Sequence, residues 1–103
     1  PKGNATTPRD QNEEWFATDV PQASEAAGQA RQVRIYYTTD SAVAVEYSID
    51  SGANWITLET SAVDTYRAPF YIPIRDGDLF NMRHITANDT AIVCRADIVT
   101  EGD

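Results

Sequence analysis

The sequence predicts an all-β fold: a small antiparallel β-sandwich or jelly-roll-like barrel of about six or more strands, with an extended N-terminal arm. Three observations carry this. From Gln32 onward apolar residues recur with period two, the spacing of strands that bury one face. Clusters of Asp, Asn, Ser and Gly punctuate these runs at short intervals, as turns require. No helical stripe competes with the pattern.

In chain order, residues 1–12 are polar, contain Pro8 and offer little to bury. Trp15 and Phe16 form an isolated apolar knob in polar surroundings. Residues 21–30 (PQASEAAGQA) are small, and Gly28 with no large apolar neighbour argues against a stable helix. Residues 1–31 therefore read as an arm or linker, anchored through Trp15 and Phe16, and residues 32–103 as the β domain. Within that domain Val33, Ile35 and Tyr37 share one face of the first run, with Arg34 and Tyr36 on the other. Thr39, Asp40 and Ser41 turn the chain. Val43, Val45, Tyr47 and Ile49 then alternate up to the turn chemistry of Asp50, Ser51, Gly52, Ala53 and Asn54. Trp55 to Leu58 returns as the partner strand, which makes residues 43–58 a β-hairpin.

A loop over residues 61–68 follows. Phe70, Ile72 and Ile74 alternate next, with prolines 69 and 73 that confine the strand to an edge or a loop border. Asp76, Gly77 and Asp78 make a tight turn. Phe80, Met82 and His84 take one face of the following strand, and Leu79, Asn81, Arg83 and Ile85 the other. After the turn at residues 87–90, Ile92, Cys94, Ala96 and Ile98 alternate with Val93, Arg95, Asp97 and Val99 in a final strand.

The chain has 103 residues, enough for one domain, and 42 % of them are hydrophobic, enough for a small core. No run approaches the roughly 18 apolar residues of a membrane span. The N-terminus lacks the apolar region of a signal peptide, so the expectation is a cytosolic origin or an upstream segment already removed. Sixteen acids against eight bases give a net charge of −8, which disfavours nucleic acid and anionic membranes as partners. The arginines are scattered along the chain, so no basic run overrides that balance. Cys94 is the single cysteine, so an intrachain disulfide is excluded and stability falls to packing or oligomerisation.

Catalytic constellations are hard to find. His84 is the only histidine and shares strand parity with Phe80 and Met82, which makes it a packed or interface residue. Cys94 runs in phase with Ile92 and Ile98, the position of a buried thiol. Asp50, Gly52 and Asn54 faintly echo a calcium loop, but the EF-hand spacing and its terminal Glu are missing, so they read as a solvated turn. The expectation is a non-enzymatic protein with no cofactor. Its exposed aromatics are a different matter. Tyr36, Tyr66, Tyr71 and Trp55 are candidates for packing, for a protein interface or for stacking on glycans. Trp15, Phe16, Tyr36, Tyr66 and Tyr71 are the candidate partner-binding residues.

The run RQVRIYYTTDSAVAVEYSIDSGANWITL, followed by FYIPIRDGDLFNMRHITANDTAIVCRADI, resembles small β-sandwich accessory proteins of tailed-phage virions. These include capsid decoration (cement) proteins and head or tail attachment domains. The VEYSIDSGANW hairpin and the DGDLFNMR turn-strand carry the resemblance, over about residues 32–99. It implies a virion location on the capsid surface, with the major capsid protein or another virion protein as partner. It also implies a homo-oligomer, a trimer above all, and an arm that reaches along the shell through Trp15 and Phe16. The alternative is a carbohydrate- or receptor-binding module of a fibre or tail.

Overall fold

Val33, Ile35, Tyr37 and Thr39 all lie on one side of a ten-residue strand and all are buried, so a second layer must cover them. The computed structural model describes residues 2–5, 8–17, 19, 30–66, 69–75 and 78–100, and it supplies that layer. The strands are β1 (Lys2–Ala5), β2 (Ala30–Thr39), β3 (Ala44–Ser48), β4 (Ile56–Thr60), β5 (Phe70–Pro73), β6 (Asn81–His84) and β7 (Ile92–Thr100). They form two antiparallel sheets, ordered β1-β7-β2-β5 and β4-β3-β6. The fold is all-β.

Chain order explains why the sheets stay face to face. After β2 the chain crosses to the second sheet, makes the β3–β4 hairpin, and returns to pair β5 with β2. It crosses again to set β6 beside β3, and once more to lay β7 along β2. Each crossing ties one layer to the other. Between them lie Ile92, Cys94 and Ala96 of β7, Ile72 of β5, Val43 and Val45 around β3, and Phe80 and Met82 at β6.

Most of the alternation read from the sequence is realised. The 43–58 hairpin forms, although its second strand starts at Ile56 rather than Trp55. The proline-flanked strand is β5, at the edge of its sheet, where a missing N–H costs no ladder bond. The tight turn after it is closed by Asp78 N–H donating to Arg75 C=O at 3.1 Å. Its tip at 76–77, the 21–29 stretch and the acidic end at 101–103 lie outside the described residues.

The arm requires a correction. Trp15 and Phe16 do not reach outward to a neighbour; they are 0 % and 2 % exposed, inside the core of their own domain. Residues 8–17 run as a strap along the free edge of β6. Asn12 N–H donates to His84 C=O and Trp15 N–H to Met82 C=O, both at 2.7 Å. Further back, Arg9 and Thr90 exchange a pair of backbone bonds. The boundary at residue 31 therefore does not separate these residues from the domain, and a chain lacking them would leave a hole in the core.

The strap also changes the fate of Asn81. Strand parity puts Asn81 on the side away from Met82, yet it is fully buried. Its side-chain Oδ1 accepts from Phe16 N–H at 3.1 Å, and its Nδ2 donates to Phe16 C=O at 2.9 Å. Such a reciprocal amide bond satisfies the backbone of an entering segment much as a strand would. At the far end of the sandwich the hydroxyls of Thr39 and Ser61 share a 2.7 Å hydrogen bond. Ser61 Oγ also accepts from Val43 N–H, so the polar groups at that crossing are paired.

Candidate binding face

The outer surface of the four-stranded sheet is where the domain offers most to a partner. Because Val33, Ile35 and Tyr37 turn inward, Arg34, Tyr36 and Thr38 must face out. Register then assembles the neighbours: Tyr71 and Asp97 stand opposite Arg34, Arg95 opposite Tyr36, and Val93 opposite Thr38. Tyr66, on the loop before β5, brings its ring to 6.2 Å from that of Tyr36 at a tilt of 58°. Tyr66 and Tyr71 are each 54 % exposed. Val93 on β7, opposite Thr38, adds exposed apolar surface to this face, and Val63, bridged to the end of β2, is exposed as well.

Charge on this face is organised around Asp97. Arg34 donates to its Oδ2 at 2.9 Å and Arg95 to its Oδ1 at 3.1 Å. Partial burial alone would raise the carboxyl, but the bonds from Arg34 and Arg95 outweigh it and hold Asp97 below the usual carboxylate range. Its hydrogen bond to Asp97 in turn raises the Arg34 guanidinium above its ordinary value. Two arginines thus share one acid, leaving a local positive excess on a chain of net charge −8. Arg34 Nε and Thr38 Oγ1 are buried and meet no hydrogen-bond partner among the described residues.

Of the five residues expected to bind a partner, Tyr36, Tyr66 and Tyr71 come together on this face, while Trp15 and Phe16 are core residues. Trp55 lies apart, half-buried, with the Arg83 guanidinium 4.4 Å above its ring. Arg83 is itself fixed by Glu46 at 2.8 Å. Arg34, Arg95, Asp97 and Val93 were not singled out from the sequence. Their outward parity was readable, but their adjacency depends on β7 pairing with β2 across the length of the domain.

His84, Cys94 and Asp50, the other groups with chemistry to offer, are turned inward or tied up locally. His84 is fully buried and its Nδ1 accepts from the Trp15 indole N–H at 2.9 Å. Cys94 is buried, and that burial pushes its thiol up, away from the thiolate. Asp50 is lowered to about 2 by bonds from Ser48 first and then from Asn54. Its oxygens close the hairpin turn, from Ser48 Oγ at 2.7 Å and Asn54 Nδ2 at 2.7 Å. Among the described residues no group of three or more His, Cys, Asp or Glu converges as metal ligands. Comparison with protein families, curated proteins and solved structures finds nothing that matches this chain.

Proposed function

We propose that the chain is a non-enzymatic virion structural protein, a capsid decoration (cement) protein that docks on the major capsid shell and stabilises it. The observation that supports this reading is the tyrosine-and-arginine face of the four-stranded sheet. Tyr and Arg are the residue types that concentrate binding energy in protein interfaces. Here Arg34, Tyr36, Tyr71 and Arg95 stand on strands, which cost little entropy to dock, with Tyr66 packed onto Tyr36 from the adjoining loop. The strap no longer serves as a clamp on neighbours, so the face takes over that role. Repeated over a symmetric shell, many such modest contacts resist expansion through avidity. The test is co-sedimentation with shells of the phage that encodes the chain, comparing the native protein with Tyr36→Ala/Tyr66→Ala. The double variant should stay folded and lose roughly thirtyfold or more in affinity, the equivalent of about 2 kcal/mol. Undiminished binding by that variant would remove the face from the function.

The same rings favour a second reading, a carbohydrate- or receptor-binding module of a fibre or tail. Tyr36, Tyr66 and Tyr71 offer stacking surface, and the Arg34–Asp97–Arg95 set offers planar polar groups for sugar hydroxyls. Trp55 is no reporter for it, because Arg83 covers its ring on the other sheet. Glycan-dependent shifts of the Tyr36 and Tyr66 ring protons, with no binding to shells, would decide for this reading.

A further inference from the structure

We propose that the joint between the strap and β6 is an acid-sensitive latch, closed while His84 is neutral and released when its ring takes up a second proton. The geometry is directional. An indole N–H can only donate, and that of Trp15 lies 2.9 Å from His84 Nδ1 with both side chains at 0 % exposure. Nδ1 must therefore carry a lone pair, and the proton of the neutral ring sits on Nε2. A second proton has one place to go, Nδ1. There it would face the indole N–H, replacing a hydrogen bond by two opposed donors and adding a buried charge.

The groups around the ring set the balance. From the strap, the carboxylates of Asp10 and Glu13 and the carbonyl of Arg9 favour the charged ring, as does the Ala87 carbonyl from the loop after β6. Desolvation is the larger effect and lowers His84 from its ordinary value. The Arg9 guanidinium is engaged elsewhere, by the carbonyls of Glu14 and Trp15 at 3.0 and 2.9 Å. On the core side Trp15 packs edge-on against Tyr37, whose hydroxyl donates to the Glu59 carboxylate.

The sign follows from linkage. A histidine whose folded value is depressed binds fewer protons folded than unfolded, so its stabilisation is complete above about pH 6.5 and is lost as pH falls below that through the folded value. The loss falls on the strap because the His84 ring bonds Trp15, whose flanking backbone bonds to His84 and Met82 belong to that joint. His84 joins the β3–β6 ladder opposite Val45 through its backbone, which does not titrate, and the β2–β7 and β3–β4 ladders contain no histidine. Release would bare the carbonyls of Met82 and His84 along β6, an open strand edge to which an extended segment can add.

The experiment uses the full chain carrying Trp55→Phe, which leaves Trp15 as the sole tryptophan. Between about pH 7.5 and about pH 5, around the histidine range, its emission should shift to the red while the far-UV circular dichroism of the sheets is retained. His84→Gln in the same background keeps an acceptor for the indole N–H but cannot titrate, and should abolish the shift. A flat Trp15 signal, a shift that persists in His84→Gln, or loss of sheet signal in step with the emission would each overturn the latch. Should His84→Gln fail to fold, NMR titration of the His84 ring in the Trp55→Phe chain decides instead. Its midpoint must coincide with the Trp15 transition, and separate midpoints would overturn the proposal.

Discussion

At Trp15 a large apolar ring and a single N–H donor have to be satisfied together. Water satisfies only the donor. The core satisfies both, because His84 Nδ1 waits at 2.9 Å and Tyr37 packs edge-on at a centroid distance of 5.4 Å. That pairing explains why the indole ends inside the domain although it and Phe16 stand in an otherwise polar stretch. Trp15→Ala should therefore cost about 3–5 kcal/mol, read as a lower denaturant midpoint. A variant as stable as the native protein would mean that the strap contributes nothing to the core. The same logic separates the tyrosines. Tyr37, inward on β2, is buried with its hydroxyl on Glu59, whereas Tyr36, one residue earlier and outward, leans on Tyr66 at the surface.

At the scale of elements, the β3–β4 hairpin shows local chemistry fixing a register. Ser51 and Gly52 take consecutive positive φ values of 58° and 87°, and Ala53 N–H closes onto Asp50 C=O at 3.3 Å. Two successive left-handed residues match the right-handed twist of the flanking strands. The Asp50 carboxylate then braces the loop through Ser48 and Asn54. Gly52 also sits against the strap and Trp55, where an added Cβ would meet Glu14 Oε1 at 3.0 Å and the indole at 3.4 Å. Gly52→Ala should cost about 1 kcal/mol or more, visible as a reduced midpoint in urea. An unchanged midpoint would show that neither the left-handed conformation at Gly52 nor the contact with Glu14 constrains the turn. The strap itself acts as an edge cover for β6, while the prolines flanking β5 blunt the opposite sheet's edge.

Across the whole molecule, the acidic balance and the Arg34–Asp97–Arg95 face pull in different directions. A net charge of −8 makes copies repel, yet the tyrosine face invites contact. If the protein works as the closed homo-oligomer that the virion reading favours, association should strengthen with ionic strength, since salt screens repulsion and leaves apolar contact intact. Light scattering over a wide range of concentration and salt should show that mass increase. A monomer under all conditions would remove self-association from the proposed function and leave docking on a shell as the sole assembly step.

The sequence by itself determined the all-β class, the inward face of β2, β3, β6 and β7, the hairpin turn and the restriction of β5 to an edge or a loop border. Each follows from period-two burial or turn chemistry within a few residues, where local sterics dominate. It also marked Tyr36 and Tyr71 as outward, because parity alone decides which side of a strand a residue takes. Only the tertiary structure decided the rest. Arg34, Arg95 and Asp97 become neighbours through a pairing of β2 with β7 that spans some sixty residues of chain. Asn81 is buried despite its parity, because a segment from the other end of the sequence lies on it. Trp15 and Phe16 looked like anchors for something else, since no periodicity surrounds them. Their partner proved to be their own core, and that contact is written in no local pattern because hydrophobic burial carries no record of chain separation.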